Sequence, residues 1–219
     1  MRTLGFVVLA LATIAAAPAS WGGWAVVSVE NAPDHFVVGK PTTFEFVVRQ
    51  HGVEPLRDLR PAIEARSGSK RVEGRAWETP KAGVYRASVT IPETGSWSVT
   101  IESGFGPSKG RLLAKPAIDA AAKAPAVDTE ERGRQLFASA GCVTCHTHVA
   151  VKMEPLLKNA APDLSNKRFA ADYLAKFLAD PSIKPKSPDM MQMPNMRLRE
   201  NDIASLVAFI NSERRITSR

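Results

Sequence analysis

Two thiols and an imidazole fall within five residues of this chain, at Cys142-Val143-Thr144-Cys145-His146. Cysteines in C-x-x-C spacing with histidine directly after the second read as an attachment site for a c-type haem. The chemistry accounts for the spacing. Each thiol adds across one vinyl group, and a three-residue separation on a turn of helix sets both sulfurs along one porphyrin edge. The adjoining imidazole then reaches the iron as an axial ligand. Two other readings stand beside this one, a thioredoxin-like redox pair and half of a zinc site. The first calls for a βαβ setting and the second for further soft ligands, and neither is evident. The chain holds 2 cysteines in 219 residues, so the motif uses both and leaves none for a structural disulfide.

A haem held in this way needs a helical frame, and the C-terminal part of the chain has the pattern for one. Asp128 or Thr129 can cap a helix through Ser139, with Glu130 and Glu131 in the first turn as the helix dipole favours. Gly133 and Phe137 lie four apart on one face of it. Near the other end of the region Ile203, Leu206, Val207 and Ile210 recur at helical spacing, with Phe209 beside them. Between them lies a methionine-rich stretch holding Met190, Met191, Met193 and Met196. Methionine more often fills gaps in a core than binds metal, but a thioether on haem iron raises the reduction potential and closes the iron to other ligands.

Ahead of this region the pattern is β, over residues 20–113. Phe44, Phe46 and Val48 alternate on one face. Tyr85, Ala87, Val89 and Ile91 alternate with Arg86, Ser88 and Thr90, as expected of a half-buried strand. Pro92-Glu93-Thr94-Gly95 turns the chain, and Trp97, Val99 and Ile101 begin the partner strand. Weaker candidates flank a Ser-Gly-Ser turn, at residues 61–66 and 70–78. About seven short strands at this spacing predict an antiparallel sandwich of immunoglobulin-like type. Its two histidines, His35 and His51, read as surface residues. A copper domain of the two-cysteine kind is excluded there by composition. Residues 114–127, rich in Ala, Pro and Lys with nothing large to bury, read as a linker.

The N-terminus reads as an export signal over residues 1–19. Arg2 is followed by an apolar run from Leu4 to Ala17, and Ala17-Pro18-Ala19 matches an A-x-A cleavage site. An uncleaved anchor over residues 4–27 is the alternative, since no charge occurs between Arg2 and Glu30 and ~20 apolar residues suffice to cross a bilayer. In either case a positive charge ahead of the apolar run sends the rest of the chain across the membrane. The expected location is periplasmic or otherwise exported, where covalent haem attachment belongs. Membrane contact is expected only if the segment is uncleaved. The formal net charge of +7 is spread evenly over both halves without a lysine or arginine run, so no nucleic-acid partner is indicated.

Residues 128–219, taken together, resemble a class I cytochrome c domain. Five elements match in order: Gly133-x-x-x-Phe137 ahead of Cys142-x-x-Cys145-His146, Ala161-Pro162-Asp163-Leu164, Tyr173 to Pro181, Met193-Pro194-Asn195, and Ile203 to Ile210. The resemblance implies one haem c, bonded covalently to Cys142 and Cys145 with His146 as the proximal ligand. It also implies that the Pro162 carbonyl accepts the Nδ1 proton of His146. The distal ligand is implied at Met193, which Pro194 directly follows, with Met191 and Met196 as alternatives. The middle helix would span Phe169–Leu178 and end at Asp180-Pro181, and Gly133 would admit the last helix near Phe209. The chain departs from the pattern at Arg199, where the family usually caps its last helix with serine or threonine; Asn201 is the substitute start. His148 reads as a surface residue. Residues 24–105 in turn resemble the small immunoglobulin-like domains of the FixH/YtkA-like group, through Phe46–Gly52 and Gly83–Val89.

These resemblances imply an exported electron carrier with no catalytic residues, free or as a subunit of a larger oxidoreductase. Its expected partners are redox proteins or a membrane respiratory complex, with the β domain as a docking module. The alternatives are an open-iron haem enzyme or sensor, and a copper-handling assembly protein with an auxiliary haem.

Overall fold

The computed structural model describes residues 23–184 and 191–212. The export signal over residues 1–19 lies outside the described residues. Residues 25–27, the end of the alternative anchor, are the start of a β-strand.

Among the described residues nine strands precede three helices. The strands are β1 (Ala25–Val29), β2 (Phe36–Val37), β3 (Pro41–Gln50), β4 (Glu54–Pro55), β5 (Ala62–Ser67), β6 (Lys70–Glu78), β7 (Val84–Thr90), β8 (Gly95–Glu102) and β9 (Lys109–Ile118). The helices are α1 (Thr129–Ser139), α2 (Ala171–Ala179) and α3 (Glu200–Ile210). The expectation of about seven strands in a two-sheet sandwich needs correction. Hydrogen bonding runs in one path, β1-β3-β7-β6-β5-β8-β9-β2, with β4 added to β3, which makes a half-barrel that only partly fits the immunoglobulin-like plan. Strand β6 is the reason. Its first half pairs with β5 and its second half with β7, so it carries the ladder from one layer into the other. The crossing point is Gly74, where a methyl group would lie 2.7 Å from the Ser88 carbonyl oxygen. One pairing, β2 with β9, is parallel.

The inward faces follow the alternation in the sequence. Phe36, Phe46, Tyr85 and Trp97 are wholly buried in one apolar cluster, each worth roughly 1.5–3 kcal/mol of transfer free energy. Strand β1 departs from alternation, since all five of its residues are buried. Ala25, Val27 and Val29 enter the β core, while Val26 and Ser28 point the other way and are covered by the helical region. The Ser28 hydroxyl donates to the Ala140 carbonyl at 2.9 Å. A strand buried on both faces reads as a continuous apolar run, and Ala-Val-Val-Ser-Val is nearly that.

Strand β1, at one end of the sheet path, and β9, next to the other end, meet without ladder bonds. The Ala25 amide donates to Ser108 Oγ at 2.8 Å, and the seam is covered by α1. Leu113 of β9 joins the helical core, Gln135 donates to the Ala114 carbonyl at 3.4 Å, and Arg132 pairs with Asp34 at 3.5 Å. The expected linker start at 114 is also corrected. Strand β9 continues through Ile118, with Pro116 opposite Ser96, and only residues 119–128 lack regular structure apart from a turn.

Helix α1 begins where Asp128 accepts the Glu131 amide at 2.7 Å. It crosses α3 at Gly133, where a methyl group would stand 2.0 Å from the Ser205 carbonyl oxygen and 2.6 Å from Phe209 Cβ. Only glycine permits that approach. Phe137, Leu206 and Phe209 close the crossing. Helix α3 starts at Glu200, with Arg199 rather than Asn201 in the N-cap position and no side-chain cap; Arg199 instead grips the buried Asp202 at 2.7 Å.

Candidate haem site

The last turn of α1 delivers the chain to the cysteines. Gly141 takes φ +91°, a left-handed conformation that glycine adopts at little cost, and the chain re-enters as a short 3-10 turn over Cys142–Thr144. The amides of Cys145 and His146 both donate to the Cys142 carbonyl, at 3.2 and 2.9 Å. One turn therefore holds both thiols and the imidazole, and all three line a single cavity of about 490 Å³. That volume is in the range of a cofactor pocket.

His146 is oriented from the opposite side. Its Nδ1 lies 2.9 Å from the Pro162 carbonyl oxygen. A carbonyl can only accept, so Nδ1 carries the proton and a neutral ring keeps its free lone pair on Nε2. Burial lowers the pKa of His146, against the opposing pull of the Pro162 bond, so the neutral, ligating form is favoured. The carbonyl is held in place by loop bonds: Leu157 donates to Thr144 at 2.9 Å and Leu164 to Thr147 at 3.0 Å. Asp163 accepts from the Ser165 hydroxyl and amide, and these bonds keep its carboxyl below the usual range.

The remainder of the wall is mainly apolar, from Phe137, Leu174, Leu178, Leu206 and Ile210, together with the methionine segment. Met191, Met193 and Met196 all face the cavity; Met190 lies outside the described residues. The three differ in surroundings. Met191 is 47% exposed, Met196 lies against Gly141, and Met193 packs on the helical core. Two side chains pin this segment to the end of α2: Gln192 donates to the Pro181 carbonyl at 3.0 Å and Asn195 to that of Ala179 at 3.1 Å. Gln192 had no signal in the sequence, since its role depends on a carbonyl eleven residues away.

Two features differ from expectation. His148 is not on the surface; it is 4% exposed, between Phe137 and Phe209 at ring distances of 5.7 and 4.3 Å. Its Nδ1 accepts the Ala150 amide at 3.2 Å. It belongs to the packing behind the motif. Val26, from the β domain, is a wall residue of the cavity that the sequence did not point to.

The donor set bears on the competing readings of the motif. Burial pushes the Cys142 thiol up to about 12 and raises that of Cys145. A redox-active pair works through a lowered thiol pKa, the opposite shift. A zinc site needs further ligands, and among the described residues no three His, Cys, Asp or Glu side chains cluster to hold a metal. His35 and His51 have no such company; His51 lies against Trp24 at 5.2 Å. Two partly buried thiols on the cavity wall, an imidazole with its Nε2 lone pair available, thioethers and an apolar cavity fit a haem.

The cytochrome c family model matches residues 130–213, so this part of the chain is a cytochrome c domain. A family of this kind implies covalently bound haem c and points to electron transfer. No curated protein matches the chain. Among solved structures it is similar to the Lin-41 filamin domain, at 14% identity and TM-score 0.32, covering 43% of this chain and 84% of that one. It is also similar to domains 4–9 of the surface layer protein SbsC, at 13% identity and TM-score 0.32, covering 47% of this chain and 15% of that one. The ZirS C-terminal domain follows at 10% identity and TM-score 0.34, covering 53% of this chain and 83% of that one.

Proposed function

From a cytochrome c domain at residues 130–213, we propose that this chain is an exported electron carrier with one covalent haem c. Cys142 and Cys145 form the thioethers, His146 is the proximal ligand and Met193 the distal one. When bound, haem supplies a one-electron Fe(III)/Fe(II) couple. The observation that carries the reading is a single cavity with the two thiols and His146 on one turn and Met193 also on its wall. Pro162 fixes the imidazole ring and makes Nε2 the more basic donor. Met193 is favoured over its neighbours because Met191 is half exposed and Met196 is already packed against Gly141. Phe137, Leu174 and Leu206 on the cavity wall would keep water from a bound haem, which favours an electron carrier over a site that turns over a substrate.

Export is supported by the apolar run behind Arg2 and by the haem chemistry itself, which belongs outside the bacterial cytoplasm. The β domain, with its FixH/YtkA-like texture, serves as the docking module toward a redox protein or membrane complex. Ligand identity is tested by replacing each methionine with alanine and recording the weak far-red methionine–iron band of the oxidised protein. Loss of the band in Met193→Ala, with retention in Met191→Ala and Met196→Ala, is expected. Its persistence in Met193→Ala would transfer the role to another residue.

A further inference from the structure

The methionine segment is held from two sides. Gln192 and Asn195 tie it to the end of α2. On the other side Pro194 rests on the β domain, at the turn after β3. A methyl group at Gly52 would stand 2.5 Å from Pro194 Cγ, 2.7 Å from its Cβ and 3.4 Å from Val26 Cγ2. Val26 continues that surface into the cavity wall. It also touches the turn ahead of the cysteines, since a methyl group at Gly141 would lie 2.5 Å from Val26 Cγ1. The same patch of β1 and β3 thus contacts both ends of the site, the thioether turn through Gly141 and the methionine segment through Pro194. Gly52 has φ +75°, so turn geometry and the absence of a side chain both select glycine there.

We propose that Gly52 and Val26 are positioning residues for the distal ligand: the β domain is a fixed wall of the haem crevice that holds Met193 on the iron through Pro194. The inference rests on the Met193 reading. It gives the β domain a part in the redox centre itself, beyond docking.

The test is Gly52→Ala in the full-length holoprotein, with Gly39→Ala as control. Gly39 has a matching φ of +71° and nothing within 4 Å of where its β-carbon would be. The control therefore carries the backbone strain without the contact on Pro194. Gly52→Ala is expected to lose the far-red band, to lower the reduction potential and to let the reduced iron bind carbon monoxide. Gly39→Ala is expected to leave all three as in the unaltered protein. Val26→Ala, which removes wall without strain, is the second variant should Gly52→Ala fail to fold, and it is expected to weaken the band and admit carbon monoxide. Band, potential and carbon monoxide response unchanged in Val26→Ala, or equal in Gly52→Ala and Gly39→Ala, would overturn the inference alone. Absence of the band from the unaltered protein would overturn the Met193 reading and the inference with it.

Discussion

Replacing Gly133 with alanine separates two opposed effects at the crossing of α1 and α3. On an isolated helix the change would stabilise, because glycine in a helix interior is about 1 kcal/mol worse than alanine. In this protein the new methyl group would stand 2.0 Å from the Ser205 carbonyl oxygen and 2.7 Å from its carbon. Both atoms are backbone of α3, which no rotamer change can move. The helices must separate by more than ~1 Å to restore ordinary contact distances near 3.5 Å. That loosens Phe137 against Leu206 and Phe209, which are at most 1% exposed. Overpacking of this kind costs about 3 kcal/mol, so the net loss is about 2 kcal/mol. For a chain of this size that lowers Tm by about 4–8 °C. The assay is thermal unfolding followed by circular dichroism and by haem absorbance, in parallel with the unaltered protein. A Tm equal to or above that of the unaltered protein would mean that helix propensity outweighs packing and that the crossing is looser than described.

Two further outcomes follow from buried polar groups. Lys115 is 4% exposed beneath α1, and burial brings its pKa down from 10.5 to about 8 against the raising influence of Asp34 and Glu131, with Arg132 and Arg134 also lowering it. Between pH 8 and 10.5 the unfolded chain holds the proton that the folded one has released, so stability should rise with pH across that window, by up to about 3 kcal/mol. Lys115→Met should abolish that rise and stabilise the protein at pH 7; denaturant melts at several pH values that show the same rise in both proteins would contradict this. The Tyr85 hydroxyl donates to the Leu56 carbonyl at 2.9 Å and accepts the Leu59 amide at 3.2 Å. Tyr85→Phe should therefore cost about 1–2 kcal/mol by denaturant unfolding, with no change in the haem spectrum, and a spectral change would show that the β core couples to the iron by a further route.

What could be read from the chain alone depended on how far apart the cooperating residues lie. Cys142, Cys145 and His146 must sit on one turn to do their chemistry, so their spacing carries the information. The β alternation from Tyr85 to Ile91 was equally plain, because one face is core and the other solvent. Ala114–Ile118 was not legible as strand: its composition disfavours β structure, and only pairing with β8 and cover from α1 place it there. His148 stands in a polar-looking stretch and is buried because Phe209, from a helix distant in sequence, closes over it together with Phe137. The contact between the domains was hidden for a different reason. Beside the haem cavity it is made at Gly52 and Gly141, and glycines that mark a close approach look the same in sequence as glycines that only turn the chain.

The central claim is that His146 and Met193 together close the iron of one covalent haem. Exposing the reduced full-length protein to carbon monoxide and recording the difference spectrum tests it most directly. The account predicts no carbonyl species. Ready formation of one in the unaltered protein would contradict it and would make this an open-iron haem protein.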